Sequence, residues 1–200
     1  GSSSENYASG ADAGIVPIPT PEDVPLSIGD IALPRWSYAA SKIAGESAVF
    51  AAARKSGFAP AVVRFHNVYG PRMGPTHVIP EFLERCRQRA DPFTVYGEDQ
   101  TRSFLYVEDA GNALRLVLTA ALRGDGGITN VGSAEETRIR DLANLVFDVT
   151  GHRSRIDPRP APSGSVARRV PDVSRLSSLG FRRRVALLEG LQACWAALER

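Results

Sequence analysis

The chain has 200 residues, of which 43% are hydrophobic and 23% are charged, and its formal net charge is +2. This length and composition are those of a globular domain with a sizeable core, and they exclude a disordered or fibrous chain. The small net charge gives no argument for nucleic-acid binding. No apolar run approaches the about 20 residues that a bilayer span needs, and the first ten residues have neither the basic start nor the apolar segment of a signal peptide.

Cysteines and histidines give no sign of a metal centre or a disulfide framework. Cys86 and Cys194 are far apart and show no CxxC spacing. Two isolated thiols predict a reducing compartment, which we take to be the cytoplasm. His77 and His152 have no acid or cysteine partner at metal-ligand spacing, so no metal is predicted. The arginine-rich stretch over residues 153–184 is interpreted as solvated surface, with one or two arginines able to meet a phosphate or carboxylate.

The predicted elements alternate between strands and helices. The first residues are interpreted as the end of a strand, and a loop rich in proline, glycine and aspartate follows over residues 8–35. The pattern then predicts a helix over 36–56, a buried strand over 61–65, a helix over 78–89, strands over 93–96 and 102–107 on either side of a turn, a helix over 108–123, a strand over 128–131, a helix over 138–149, a proline-rich stretch over 157–164, and helices over 174–179 and 187–198. Such alternation predicts an α/β sheet.

The strongest chemical signal is the segment Ser37–Lys42, at the start of the first long predicted helix. Tyr38 and Lys42 are four residues apart, so their side chains lie on the same helical face. A phenol with a pKa of about 10 is a poor base at neutral pH, but a neighbouring ammonium group favours the phenolate and lowers that pKa. The pair can then remove a proton from a sugar hydroxyl while a hydride leaves the same carbon. Alone, this spacing also arises by chance in amphipathic helices.

The helix itself is predicted from the recurrence of small and apolar side chains at spacings of three and four. These residues are Ala40, Ile43, Ala44, Ser47 and Ala51.

Further motifs follow in a fixed order around the Tyr–Lys pair. They are Ser2–Tyr7, Arg64–Arg72, Val95–Gly97, Gln100–Asp109, Arg169–Asp172 and Leu179–Phe181. Together they resemble the extended short-chain dehydrogenase/reductase family, in particular its NAD-dependent nucleotide-sugar epimerases, dehydratases and decarboxylases. The resemblance covers nearly the whole chain. It departs from the family pattern at Tyr7-Ala8, where the family has Tyr-Gly.

The resemblance implies a role for each matched residue. Tyr38 and Lys42 are expected to be catalytic and to contact NAD, with Ser3 sharing the hydrogen bond and Glu5 as a further catalytic residue. The residues expected to hold the nucleotide sugar are Asn67, Arg72, Val95, Tyr96, Arg102 and Arg169. Structural explanations stay open for three of them, since Ser3 also suits a strand end, Asn67 a turn and Arg102 a strand surface.

The resemblance also implies an α/β fold with an incomplete, Rossmann-like parallel sheet whose N-terminal strands are missing, and a small C-terminal α/β substrate-binding lobe. Residues 1–66 are expected to form the C-terminal part of the Rossmann-like domain, including the Tyr-x-x-x-Lys helix. Residues 67–200 are expected to form mainly the nucleotide-sugar lobe, interleaved with residual Rossmann elements. No Gly-x-x-Gly-x-x-Gly occurs in the sequence, so the turn that receives the NAD pyrophosphate is expected to be absent.

Three explanations of this absence stay open: a fragment, a missing half supplied by another chain, or a protein that kept substrate binding and lost redox chemistry. The predicted function is an NAD-dependent epimerase or dehydratase acting on a nucleotide sugar. A UDP-sugar is favoured, and Ser4–Glu5 resembles the pair found in UDP-glucuronate-type decarboxylases. The alternative is a non-catalytic nucleotide-sugar binding or partner module. The expected partner is a second copy of the chain, as is common in the family, or a complementing N-terminal half.

Overall fold

The computed structural model describes residues 1–162 and 165–199. The strands are β1 (Ser2–Ser3), β2 (Ala61–Phe65), β3 (Val68–Tyr69), β4 (Phe93–Tyr96), β5 (Thr101–Ser103), β6 (Leu105–Tyr106), β7 (Gly127–Val131), β8 (Glu136–Arg138), β9 (Ile156–Arg159) and β10 (Arg168–Arg169). The helices are α1 (Ala8–Asp12), α2 (Pro34–Ser56), α3 (Val78–Arg87), α4 (Val107–Leu122), α5 (Ile139–Thr150), α6 (Ser174–Ser178) and α7 (Leu187–Leu198), and a 3-10 turn covers Ser4–Tyr7. Within the described ranges, no helix is both long and apolar enough to cross a membrane.

A three-stranded parallel sheet in the order β1–β2–β7 carries the N-terminal part of the fold. Helix α4 packs on β2 and β7, where Val63 and Val131 of the sheet meet Ala113 and Val117 of the helix. Because the three strands run in the same direction, their carboxyl ends lie at one edge of the sheet. Ligands bind at that edge in open α/β sheets. The α/β class predicted from the sequence is confirmed.

A second and larger core lies among α3, α5 and α7. Helices α3 and α5 each bury side chains at the three- and four-residue spacing of one helical face. In α3 these are Ile79, Phe82, Leu83 and Cys86, and in α5 they are Ile139, Leu142, Ala143, Val146 and Phe147. Phe93 and Val95 of β4 are fully buried in the same cluster. A small sheet in the order β10–β5–β8 connects this lobe to the rest of the chain.

Several predicted boundaries are wrong. The loop over residues 8–35 contains α1, and the prolines of this segment start only at Pro17, so nothing blocks a helix before it. The helix predicted over 78–89 ends at Arg87, because Arg89 adopts a left-handed backbone with φ 57°. The strand predicted over 102–107 breaks at Phe104, where the chain changes partner: β5 pairs with β8 and β10, whereas β6 pairs with β3.

Two further pairings differ from the sequence interpretation. The strands predicted on either side of the turn at residues 97–100 do not pair with each other: β4 pairs with β9, which lies partly in the stretch expected to be irregular. Helix α2 also buries a different face from the predicted stripe. Its buried residues are Trp36, Ala39, Glu46 and Ala53, whereas the stripe from Ala40 to Ala51 is exposed or only partly covered.

A buried ion pair between Glu46 and Arg64 explains which face of α2 is covered. The guanidinium of Arg64 donates to both carboxylate oxygens of Glu46, at 2.9 and 2.6 Å, and the two side chains are 2% and 7% exposed. Ser2 and Asn6 also donate to this carboxylate, at 2.5 and 2.8 Å, and Arg64 donates to the Tyr7 phenol. The pair therefore joins α2, β2 and the N-terminal segment at one point.

The pKa of Glu46 moves in the direction that this network demands. Burial alone would raise the pKa of the carboxyl group, but the hydrogen bonds from Arg64 and Ser2 outweigh burial and lower it. Stability from this carboxylate is therefore complete above its unfolded pKa and is lost as the pH falls through the lower folded pKa.

Replacement of Glu46 should destabilise the fold strongly, because it leaves the Arg64 charge buried without its partner. We expect Glu46→Ala to reduce the free energy of unfolding by about 3–5 kcal/mol in urea titrations. The control is Glu81→Ala, which removes a surface pair with Arg85 at 3.4 Å and should cost less than about 1 kcal/mol. Equal losses for the two variants would contradict a central role for the buried pair.

Candidate active site

A cleft of about 620 Å³ opens at the carboxyl ends of β1 and β2. Five of the residues predicted from the sequence line it together. They are Ser3, Glu5, Tyr38, Asn67 and Arg169. They come from the N-terminal segment, α2, the loop after β2, and β10, so the fold brings together positions that are far apart in the chain.

Ser3 and Glu5 are placed by the 3-10 turn that follows β1. The Ser3 hydroxyl oxygen accepts a hydrogen bond from the backbone N–H of Glu5 at 3.2 Å, which leaves the hydroxyl proton able to point into the cleft. The Glu5 carboxylate forms an ion pair with the Arg169 guanidinium in the lining of the cleft. A negative and a positive group are therefore in direct contact in the wall of the cleft.

Tyr38 and Lys42 stand one helical turn apart on α2, as predicted. The Lys42 ammonium lies 5.5 Å from the centroid of the Tyr38 ring and donates to the Gly1 carbonyl at 3.2 Å. Tyr38 is about half exposed and lines the cleft, whereas Lys42 lines an adjoining depression with Ser41 and Glu46. The pair thus spans two neighbouring hollows at the edge of β1.

Arg102 and Arg169 lie side by side on the paired strands β5 and β10. The guanidinium of Arg102 donates to the Thr101 carbonyl at 2.7 Å and to the Gln100 amide oxygen at 3.1 Å, both of which are neutral. Burial and the neighbouring Arg169 charge lower the pKa of Arg102 to about 10, and the carboxylate of Glu5 offsets only part of this shift. The Nε atom of Arg169 is buried without a hydrogen-bond partner in the described structure. An anion would satisfy these donors.

Asn67 lines the cleft and is held by the neighbouring strand, whereas the remaining predicted substrate residues lie elsewhere. The Asn67 amide donates to the Ser103 carbonyl at 2.9 Å and so joins the loop after β2 to β5. Arg72 lines a separate pocket of about 240 Å³ between α3 and α7. Val95 is fully buried in the core, and the exposed Tyr96 follows it at the end of β4. The lining of the cleft does not include Arg72, Val95, Tyr96 or Arg102, and the roles predicted for these residues stay predictions.

Other cleft residues were not predicted to be site residues from the sequence. Ser4, Phe65, His77 and Phe104 all line the cleft. His77 precedes α3 and was considered only as a metal ligand. Among the residues that the structure describes, no group of three or more His, Cys, Asp or Glu side chains is arranged to hold a metal ion. A position before a helix gives no local signal that its side chain faces a cleft, so His77 could be found only from the fold.

His66, directly after β2, is buried and hydrogen-bonded. Its Nε2 atom is 3.1 Å from the Asn130 side-chain oxygen, so this nitrogen carries the proton of the neutral ring. Burial, with a smaller contribution from the Arg169 and Arg64 charges, lowers the pKa of His66 to about 3 although the Asn130 hydrogen bond acts in the opposite direction.

Comparison with known proteins now identifies the family. The sequence profile of the NAD dependent epimerase/dehydratase family matches residues 1–132. The chain belongs to this family. Its curated relatives include the UDP-N-acetyl-alpha-D-glucosaminuronate decarboxylase of Bacillus cytotoxicus, which is 34% identical over 202 residues that cover 96% of this chain and 60% of the relative.

Solved structures of epimerases share the fold. The UDP-glucose 4-epimerase of Thermotoga maritima, solved with UDP-glucose, superimposes with a TM-score of 0.77 at 27% identity and covers 90% of this chain and 57% of its own. The Thermus thermophilus UDP-glucose 4-epimerase, solved with NAD, gives a TM-score of 0.73 at 28% identity, over 88% of this chain and 59% of its own. The partial Rossmann-like fold is thereby confirmed, and NAD is the cofactor of the family. The chain spans about three fifths of the length of these relatives.

The depressed pKa of His66 predicts a specific loss of stability in acid. The unfolded imidazole takes up a proton below its usual pKa of 6.5, whereas the folded one stays neutral down to about 3. Stability from this group is therefore complete above pH 6.5 and falls by about 1.4 kcal/mol per pH unit below it.

His66→Gln should remove this dependence while keeping a donor toward Asn130. Urea unfolding at about pH 7 and about pH 5 measures the change, and the carboxylates titrate alike in both proteins, so the difference isolates His66. If the unfolding free energies of the two proteins changed with pH in parallel, the folded protein would take up the His66 proton over the same pH range as the unfolded chain, which would contradict the prediction.

Proposed function

We propose that this chain forms the substrate-binding and proton-transfer part of an NAD-dependent epimerase/dehydratase that acts on a nucleotide sugar. The observation that carries the proposal is the cleft at the carboxyl ends of β1 and β2, where Ser3, Tyr38 and the Glu5–Arg169 pair meet. Membership of the family and the likeness to epimerases solved with UDP-glucose and with NAD support it.

The chain's own residues account for the proton transfer. Tyr38, as the phenolate, removes the proton of a sugar hydroxyl and becomes the neutral phenol. The Lys42 ammonium, 5.5 Å from the centroid of the ring, supplies the opposite charge for the phenolate, and Ser3 donates a hydrogen bond to the same sugar oxygen. Bound beside Tyr38 and Lys42, NAD would supply the hydride chemistry at that sugar carbon.

The residues present fit the nicotinamide-ribose end of NAD. Lys42 uses one donor on the Gly1 carbonyl, and an ammonium group carries three, so donors remain for ribose hydroxyls. The glycine-rich turn for the pyrophosphate does not occur in the sequence. A complete cofactor site therefore requires residues beyond these 200.

The charges in the cleft and directly beside it favour a nucleotide diphosphate. Arg102 and Arg169 are neighbours on one face of the small sheet, and Glu5 supplies the carboxylate paired with Arg169. The hydrogen-bond partners of Arg102 are neutral oxygens, and a diphosphate would give its guanidinium a negatively charged partner. The proposed substrate is a UDP-sugar, with UDP-glucuronate as the first candidate, because Ser4–Glu5 resembles the pair found in decarboxylases and one relative decarboxylates a UDP-linked uronate.

The proposal extends to assembly and compartment. The stripe from Ala40 to Ala51 on α2 is exposed or only partly covered and, apart from Ile43, consists of small side chains. Small side chains let a second helix approach closely, which supports a homodimer or docking of a complementing N-terminal half. Cys86 and Cys194 are free and buried, in keeping with a cytoplasmic enzyme.

Calorimetric titration of the chain with UDP-glucuronate, UDP-glucose and NAD tests the proposal. Binding of a UDP-sugar with a dissociation constant in the range of about 1 µM to 1 mM is expected. The alternative is a non-catalytic binding module. It would be favoured if an assembly with a complete NAD site bound the sugar nucleotide tightly but showed no turnover. Failure of every UDP-sugar to bind would refute the proposed substrate.

Arg102 and Arg169 should contribute most of the affinity for the nucleotide. We expect Arg102→Gln and Arg169→Gln each to raise the dissociation constant of the UDP-sugar about tenfold or more, since a charge-assisted hydrogen bond contributes about 1.5–3 kcal/mol. Arg168→Gln is the matched control. Arg168 precedes Arg169 in β10, but its side chain lies on the surface and pairs with Glu136 at 2.7 Å. Equal effects at positions 168 and 169 would place the diphosphate elsewhere.

Tyr38→Phe should separate chemistry from binding in the assembled enzyme. Removal of the phenol hydroxyl is expected to lower the rate of sugar oxidation about 100- to 10,000-fold, the usual contribution of a general base, and to change UDP-sugar affinity less than about twofold. Ser41→Ala serves as the control on the same helix, because the Ser41 hydroxyl donates only to the Tyr38 carbonyl. Wild-type turnover by Tyr38→Phe would remove Tyr38 as the base.

A further inference from the structure

The side chain of Asn130, at the end of β7, is completely buried and uses every hydrogen-bonding position that it has. Its oxygen accepts from the Tyr7 phenol at 2.9 Å and from Nε2 of His66 at 3.1 Å. Its nitrogen donates to the carbonyls of Thr20 at 3.0 Å and Asp172 at 3.1 Å. A primary amide has two acceptor sites and two donor protons, so Asn130 is saturated.

The four partners belong to segments that meet in the cleft or flank it. Tyr7 ends the 3-10 turn that contains Glu5, and Asp172 follows Arg169 by three residues. Thr20 lies in the long loop that precedes α2 and is bound to the Arg169 segment from both sides: its N–H donates to the Val170 carbonyl at 2.9 Å, and its carbonyl accepts from the N–H of Asp172 at 2.9 Å.

The surroundings of Asn130 leave little room for another arrangement. Gly132, two residues later, is wedged between His66 and Pro171, because a Cβ atom at this position would come within 2.8 Å of both. The backbone N–H of Asn130 also donates to the Glu22 carboxylate at 2.8 Å. Rotating the amide by half a turn would set its N–H groups against the two donors and its oxygen against two carbonyls, which makes the observed orientation the only satisfied one.

We propose that Asn130 is a positioning residue of the proposed active site, which ties the Glu5 turn to the Arg169 segment and so holds the Glu5–Arg169 pair together in the wall of the cleft. This inference rests on the proposed function. Asn130 is fully buried and does not line the cleft, so it acts through Glu5 and Arg169 and not on the substrate. An amide is required, because the site needs two donors and two acceptors on one side chain.

Asn130→Asp is the most informative substitution. The carboxylate keeps both acceptor positions for Tyr7 and His66 but has no donors for the Thr20 and Asp172 carbonyls, so it should release the Arg169 segment selectively. Thr129→Val is the matched control. Thr129 precedes Asn130 in the same strand, is equally buried, and accepts from the Arg175 side chain at 3.1 Å, away from the cleft.

A double-mutant cycle with UDP-glucuronate tests the action through Arg169. Asn130→Asp should raise the dissociation constant about tenfold in the wild-type background and less than about twofold in Arg169→Gln, because neighbouring residues that share a function are not additive. Thr129→Val should have the same small effect in both backgrounds. Additive effects of Asn130→Asp and Arg169→Gln would overturn the inference.

Amide hydrogen exchange provides a test that needs no ligand. The amides of Thr20 and Asp172 should exchange about tenfold faster in Asn130→Asp than in the wild type, whereas Thr129→Val should leave them unchanged at a denaturant concentration that equalises global stability. Unchanged exchange in Asn130→Asp would refute the positioning role. If the wild-type chain binds no UDP-sugar, the proposed function fails, and the exchange experiment still decides the role of Asn130.

If Asn130→Asp does not fold, the variant Tyr7→Phe tests the inference instead. It removes the hydrogen bond between the 3-10 turn and Asn130, together with the one that the phenol accepts from Arg64, and leaves the amide donors in place. The expected result is a rise in the dissociation constant of about threefold that disappears in Arg169→Gln. A rise of the same size in both backgrounds would contradict the inference.

Discussion

The ion pair between Glu46 and Arg64 is the interaction on which the candidate site depends. Both groups are almost fully buried, and a buried charge is tolerated only when its partner and its other hydrogen bonds are in place. A rotation of α2 by one residue would turn Glu46 away by about 100° and leave Arg64 unpaired. The register of α2 on the sheet is therefore strongly constrained, and with it the direction of Tyr38 toward the cleft and of Lys42 toward the adjoining depression.

At the cleft, one of two neighbouring arginines has a carboxylate partner among the described residues and the other does not. Arg169 faces Glu5, while Arg102 beside it is held by neutral oxygens and its pKa is lowered by burial. Because side chains alternate along a strand, the neighbouring Arg168 turns away and pairs with Glu136 on the surface. Arg168 and Arg169 are adjacent and chemically identical, yet they have different surroundings. Only Arg169, which faces the cleft, lies beside a second guanidinium, that of Arg102, whose charge an anion would balance.

Prediction from the sequence succeeded where structure depends on near neighbours. The local residue pattern identified α3 and α5, and the four-residue interval between Tyr38 and Lys42 was enough to put them on one face. It failed for β3, β8 and β10, which have only two or three residues and so show no alternation. It also failed at Phe104, because the switch of partner between β5 and β6 is set by strands elsewhere in the chain, and at α2, whose buried face is selected by Arg64.

The amino-acid order alone determined which reactive groups exist and how those within one helical turn are arranged, since hydrogen bonds within four residues set that geometry. It also carried the motifs by which the family was recognised. Tertiary structure decided which distant groups meet. Glu5 and Arg169 are 164 residues apart in the chain, and Asn130 is hydrogen-bonded both to the N-terminal segment that contains Glu5 and to the segment that contains Arg169. Such contacts are selected by the burial and hydrogen-bond satisfaction of the whole fold, and no local pattern of residues encodes them.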